Sequence, residues 1–324
     1  MELAVRRSQR ELISAIIVAI GLWSIYAVIG PGGDFRSAYT DMVVHPELLE
    51  TVQDTAWTMN PLWQNWFMAP FVTMPGRSGY LAFMAFTLGA TIWAAYLLGG
   101  RPILVILSSH MAWILWWGQL EGWAALGLVL GYYALENRSW IMMWLALLMA
   151  TFKPQASLMP LAALWWWSGR DRWKAALAMA VTFGVTILVW GPWPAWYIKA
   201  IATNYSGGQF WSNWNSSIGL IALPLFIPAL LVPMTRQKRL MALTATACLA
   251  ITYMPYYSTI LLLCMAVPLW AYIFGFTGYL VFLIGPLGWN IVVLLPLTLL
   301  LWIYWPIGRD WYRRRKQLVS VAKP

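Results

Sequence analysis

Gly30-Pro31-Gly32-Gly33-Asp34-Phe35-Arg36 closes the first apolar run of the chain. Glycines and a proline break the run, and an acid follows at once. The connection that starts here continues to Gly79 and is the longest polar connection in the sequence. In so apolar a chain, a loop of this length is expected to carry function. Asp34 has two readings. It ends a helix at a membrane interface, or it is a catalytic carboxylate.

Composition sets the class around this stretch. The chain is 61% hydrophobic and 10% charged, with 25 tryptophans. Soluble domains carry roughly 25% charged residues. Apolar runs recur from end to end, without the alternation a barrel strand needs. Lipid leaves helices as the remaining way to satisfy the backbone, so the expectation is an all-α polytopic membrane protein. The net charge of +10 reads as loops facing an anionic leaflet, not as a nucleic-acid surface. Cys248 and Cys264 both lie in apolar runs and read as packing residues.

In chain order, Leu12 to Ile29 is a first span, uncleaved because no small-residue cleavage pattern follows it. From Val44 to Trp57, Val44, Leu48, Leu49 and Val52 share one helical face, and Glu47, Glu50 and Asp54 share the other. With Pro46 in its first turn, this predicts an amphipathic helix lying on the membrane. Asn60-Pro61 opens a segment whose Trp63, Trp66, Phe67 and Phe71 suit the headgroup level. Further spans are expected at about 80–99, 103–117, 121–135, 139–152, 155–168, 174–191, 217–233, 239–254 and 257–274. The stretch 277–306 divides at Gly285-Pro286 into a short segment and a full one. The total is about 10–12 transmembrane or half-membrane helices in one domain, 1–324. Short spans place the turns Gly118-Gln119 and Lys153-Pro154 below the membrane surface, where irregular backbone must line a cavity or be buried in protein.

Basic residues orient this topology. With the N-terminus inside and crossings alternating, Arg36, Arg77, Lys153 and Lys199 fall outside, leaving seventeen of the 21 inside. That bias predicts a multi-pass plasma-membrane protein with both termini cytoplasmic. Lys153, between two apolar half-spans, is a functional candidate or a lysine snorkelling to the interface.

The polar residues expected on the outer side are few. They include Asp34, Arg36, Asp41, His45, Gln119, Glu121, Lys153, Gln155, Lys199, Asn204, the run from Ser212 to Ser216, Tyr256 and Tyr257. An acid near one or two cations suits chemistry on a lipid-linked phosphosugar. The cation holds the phosphate, the carboxylate deprotonates an incoming hydroxyl, and aromatic rings face the sugar. A carboxylate base opposite the leaving phosphate gives inversion through an oxocarbenium-like transition state.

At these residues the chain resembles the GT-C membrane glycosyltransferases, in the branch that uses polyprenyl-phosphate mannose (the family of mycobacterial phosphatidylinositol-mannoside mannosyltransferases). The resemblance rests on Gly33-Asp34-Phe35, Met59-Asn60-Pro61-Leu62-Trp63, Ala69-Pro70, Gly118-Gln119-Leu120-Glu121 and Phe152-Lys153-Pro154-Gln155. It covers residues 12–170, with the loop 30–79 inside that module and 171–324 as C-terminal helices. It implies a bacterial hexosyltransferase, a mannosyltransferase in kind. Asp34 would be the catalytic base. Lys153 and Arg36 would lie at the donor phosphate, and Gln119, Gln155, Asn213, Asn215, Tyr256 and Tyr257 at the substrates. Its partners would be a polyprenyl-phosphate sugar and a lipid or glycan acceptor. The chain departs from the family in its shortness and in the late turn Met254-Pro255-Tyr256-Tyr257-Ser258, where some relatives have a histidine.

Two other readings stay open: a non-catalytic transmembrane subunit of a larger membrane complex, and a lipid or sugar transporter. The second predicts an internal repeat, which the sequence does not show. His45 reads as a helix cap or an interface contact, and His110, expected mid-span, as an interhelical hydrogen-bonding residue. No His, Cys and carboxylate set has ligand spacing, and no phosphate loop is present, so neither a metal nor a cofactor is expected.

Overall fold

The computed structural model describes residues 9–30, 32–46, 60–206, 215–251, 254–285 and 291–321. Among them there is no strand, only the isolated bridges Gly99 to Met265 and Asn215 to Pro255. The first half is built from α1 (Gln9–Ile29), a π-helical turn Phe35–Tyr39 running into α2 (Thr40–Val44), α3 (Gln64–Val72), α4 (Ser78–Leu97), α5 (Pro102–Ile106), α6 (Ser109–Trp117), α7 (Glu121–Asn137), α8 (Trp140–Ala150) and α9 (Pro154–Trp167). The second half follows as α10 (Arg172–Trp190), α11 (Trp193–Ser206), α12 (Phe226–Leu231), α13 (Arg236–Ala250), α14 (Ile260–Leu263), α15 (Ala271–Phe276), α16 (Val281–Ile284) and α17 (Leu294–Val321).

Four segments are long and apolar enough to cross a membrane: Gln9–Ile29, Ser78–Leu97, Gly169–Trp190 and Ile291–Asp310. They turn large apolar side chains outward, as Ile17 and Val28 do on α1 and Leu188, 87% exposed, does on α10. Outward aliphatic faces of this extent suit lipid contact. These are the features of an all-α membrane protein.

Several expected spans are not single helices. The run 103–117 breaks at Leu107-Ser108, where Ser108, with ψ of 152°, caps α6 by accepting from Met111 N. His110 therefore sits in a first turn, not mid-span. The run 257–274 breaks into a 3-10 turn (Tyr256–Thr259), α14 and α15, with Pro268 between the last two. Its irregular backbone is tolerable because Tyr256 to Met265 are all buried in protein. The run 239–254 forms most of α13, but Leu240 to Ala250 are buried without exception. α13 is an interior helix whose Ala and Thr side chains let neighbours approach closely. The break at Gly285 is present, with φ of +62°, and α17 then runs past 306 to Val321.

α7 is the central helix, packed against α4, α8 and α9. A side chain at Gly122 would meet the Thr87 carbonyl at 2.8 Å, so α7 and α4 touch backbone to backbone there. Of the segment expected at headgroup level, Trp66 stays exposed, while Trp63, Phe67 and Phe71 turn their rings toward protein. Trp63 is buried against Trp193, Phe67 meets Trp123 and Phe152, and Phe71 meets Phe83 and Trp123. The helix expected from Val44 lies mostly outside the described residues. Its described part differs: Val44 ends α2, and His45 leaves the helical region (φ −132°, ψ 63°). The residue before a proline is pushed out of the α region by the proline ring.

Candidate functional site

Three chain reversals meet at one end of the bundle. The first follows α1. Gly32 (φ +58°) donates its N–H to the Trp116 carbonyl, and the π-helical turn begins beside it. Asp34 occupies the N-cap position of that turn. π-turns of this kind recur at functional sites.

The second reversal joins α6 to α7. Gly118 (φ +75°) is the left-handed C-cap of α6, donating to the Ile114 carbonyl. A Cβ here would lie 2.7 Å from Phe35 Cβ, so only glycine lets the turn close against the residue after Asp34. Gln119 follows, 2% exposed, and Glu121, fully buried, opens α7.

The third reversal joins α8 to α9. Lys153, 7% exposed, is the N-cap residue of α9, with Pro154 at the first helical position. Ser157 Oγ donates back to the Lys153 and Ala150 carbonyls and closes the turn.

The side chains form one chain of polar contacts. Gln119 Nε2 donates to Asp34 Oδ2. Gln119 Oε1 accepts from Lys153 Nζ at 2.5 Å and from the Tyr39 hydroxyl at 3.2 Å. Lys153 Nζ lies 3.4 Å from Glu121 Oε1, which also accepts from Ser258 Oγ at 2.8 Å. The Tyr257 ring lies 6.0 Å from the ammonium, within cation–π range. An ammonium has only donors, so it settles the orientation of the Gln119 amide: oxygen toward Lys153, nitrogen toward Asp34.

Burial raises the Asp34 carboxyl from its ordinary 3.8 to about 6. Lys153 opposes this rise, Glu121 adds to it, and the Gln119 hydrogen bond opposes it. Burial also holds the Tyr39 hydroxyl well above its usual range, so it stays a donor.

The sequence candidates divide accordingly. Asp34, Gln119 and Lys153 come together, with Tyr257 alongside. Arg36 does not join them. It is exposed and lines a separate cavity of about 360 Å³ with Phe35, Thr40, Phe71, Arg77 and Tyr80. Gln155 is half-buried in the first turn of α9 and takes no part in these hydrogen bonds. Tyr256 packs against His110, Trp113 and Tyr257 in the interior. Asn215 works as a staple: its Oδ1 accepts from Met254 N (2.9 Å) and Ser217 N (3.1 Å). Asn213 lies outside the described residues. His45 caps α2, its N–H on the Asp41 carbonyl. His110 bonds across helices to Thr259 Oγ1 at 2.8 Å.

Tyr39, Ser258 and Glu121 complete the cluster; of these only Glu121 belongs to the outer polar set, where it carries no assigned role. Glu121 had a usable signal, as an acid inside an apolar segment. Ser258 and Tyr39 had none, because serine and tyrosine are common at any helix end. The late turn that lacks a histidine reaches the cluster after all, through Ser258 and Tyr257. Among the described residues no group of His, Cys, Asp and Glu could hold a metal ion.

No family model, no curated protein and no solved structure matches this chain.

Proposed function

We propose that the chain is an integral membrane glycosyltransferase of GT-C type. It moves a hexose, mannose by the resemblance, from a polyprenyl-phosphate donor to an acceptor hydroxyl with inversion. One observation carries this reading: Gln119 joins the half-buried Asp34 to the buried Lys153, from separate reversals, in a single cluster. Chemistry of this kind needs an acid whose proton affinity is tuned near neutrality, and the half-buried Asp34 has that property.

Asp34 Oδ1 takes no part in the cluster's hydrogen bonds, whereas Oδ2 is held by Gln119. In the reaction, Oδ1 accepts the proton of the acceptor hydroxyl. The acceptor oxygen forms its bond to the anomeric carbon as the bond from that carbon to the phosphate oxygen breaks. The phosphate leaves with the electron pair.

Lys153 is committed to Gln119 and Glu121, so its part is to position Gln119 and oppose the rise in the Asp34 pKa. In this reading Arg36, exposed on the cavity beside Phe35, meets the leaving phosphate, while Arg77 there donates to the Val28 and Gly30 carbonyls. In this reading both termini are cytoplasmic, the cluster faces outward, and the chain crosses or half-crosses a bacterial plasma membrane about 10–12 times as one domain.

One observation favours the second reading, a non-catalytic transmembrane subunit. The Lys153 ammonium is internally paired, as a purely structural cluster requires. Transfer of radiolabel from polyprenyl-phosphate mannose by membranes containing the protein separates the two. Label moving with the unaltered chain and not with Asp34→Asn supports the transferase. No transfer by folded protein from this or another polyprenyl-phosphate sugar leaves the subunit.

A further inference from the structure

α9 is a ruler between two ends of the molecule. At about 1.5 Å per residue, its length from Pro154 to Trp167 spans roughly 20 Å. Lys153 stands at one end. At the other, Trp167, Met234, Arg236 and Arg239 line a cavity of about 260 Å³.

The construction of this cavity is specific. Arg239 is half-buried, with its guanidinium 5.8 Å from the centre of the Trp167 ring and one N–H on the Val232 carbonyl at 2.9 Å. Its Nε–H is shielded from solvent and has no protein acceptor. Buried donors without acceptors are costly and call for an occupant. Arg236 is exposed at the start of α13, where the helix dipole, with Thr235 capping the Lys238 N–H, adds to the positive field.

The surroundings repeat one pattern. The Arg172 guanidinium lies 4.1 Å from the Trp166 ring, and Lys238 and Lys174 lie 5.7 and 6.0 Å from the rings of Trp302 and Trp173. Tryptophans alternating with cations form the belt expected where helices leave the hydrocarbon for headgroups. A cationic pocket within such a belt matches an anionic headgroup.

We propose that this cavity binds the phosphate of an anionic phospholipid. Two guanidinium groups meet the phosphate, and Trp167 and Met234 meet the start of the acyl region. The site lies about one helix length from the Asp34 cluster and is independent of the proposed transfer chemistry.

The test uses the full chain in detergent, titrated with phosphatidylglycerol, phosphatidylcholine or inorganic phosphate while thermal unfolding and lipid-bound mass are recorded. Phosphatidylglycerol is expected to raise the midpoint by several degrees, and phosphatidylcholine to leave it unchanged. Arg236→Gln, at an exposed position compatible with folding, weakens phosphatidylglycerol binding about tenfold, and Arg236→Gln with Arg239→Gln abolishes it. Arg101→Gln, which removes one exposed charge elsewhere, leaves it intact. An equal shift with inorganic phosphate would overturn the lipid assignment in favour of a free anion. Unchanged phosphatidylglycerol binding by Arg236→Gln would overturn the site itself.

Discussion

Lys153 Nζ lies 2.5 Å from Gln119 Oε1. That contact links two reversals of the chain and turns the glutamine amide so that its nitrogen faces Asp34. The state of the acid therefore depends on a lysine that does not touch it.

Removing the lysine leaves the fully buried Glu121 carboxyl without its cation. Lys153→Met is expected to destabilise the protein by about 3–5 kcal/mol. Lys153→Met with Glu121→Gln recovers part of the loss, because Glu121 no longer needs a cation, whereas Asp34 still loses the one that opposes its pKa rise. Thermal or denaturant unfolding in detergent checks both. A double variant no more stable than the single one would show that the pair is not the source of the cost.

Asp34 makes a prediction in two pH windows. Its carboxyl is raised from 3.8 to about 6 in the folded chain. The folded state therefore holds the proton to higher pH than the unfolded state. Its contribution to stability is full below about 4, declines as pH rises toward about 6, and is flat above. Transfer follows the ionised form, so it falls about tenfold per unit below pH 6. Asp34→Asn removes the pH dependence of stability and abolishes transfer, with folding retained at pH 7. A transfer profile flat from pH 7 to 5 would exclude Asp34 as the base.

Gln119→Glu replaces the amide donor to Asp34 with a second carboxylate. The acid limb of the transfer profile is expected to move to higher pH, since both the lost hydrogen bond and the added charge favour the protonated acid. Gln119→Met loses the donor without adding charge and moves the limb less. A limb that stays in place in both variants would place Gln119 outside the control of Asp34.

Gly118→Ala is expected to reduce transfer more than stability. The left-handed turn costs an alanine about 1–2 kcal/mol, and the new methyl group would press on Phe35 Cβ. Displacing Phe35 moves Asp34 beside it. Comparing turnover with unfolding midpoint separates the two effects, and Gly89→Ala, where nothing lies within 4 Å, is the control.

Part of this site is legible in the sequence. Asp34 after a glycine-rich stop, Gln119 in a Gly-Gln turn and Lys153 before a proline are each conspicuous in an apolar chain. Their meeting is not legible, since nothing local says which reversals share an end of the bundle. Arg36 shows the limit, since two residues from Asp34 it faces a different cavity. Asn215 shows it again: as a loop asparagine it suggested a substrate contact, and its side chain instead pins backbone N–H groups at Met254 and Ser217.

The sequence by itself determined that this chain is helical and apolar enough for lipid, because backbone satisfaction and hydropathy depend on local composition. It also determined where α1 stops and where Gly118 and Gly285 break the path. Tertiary structure alone decided which apolar segments are covered by protein. α13 reads as a span, yet its Ala and Thr residues suit a helix neighbour as well as lipid, and hydropathy cannot tell the two apart. Tertiary structure alone also brought Glu121, Ser258 and Tyr39 to Lys153 and Gln119. A buried ammonium requires acceptors from wherever the fold can supply them, and their distance along the chain does not enter that requirement.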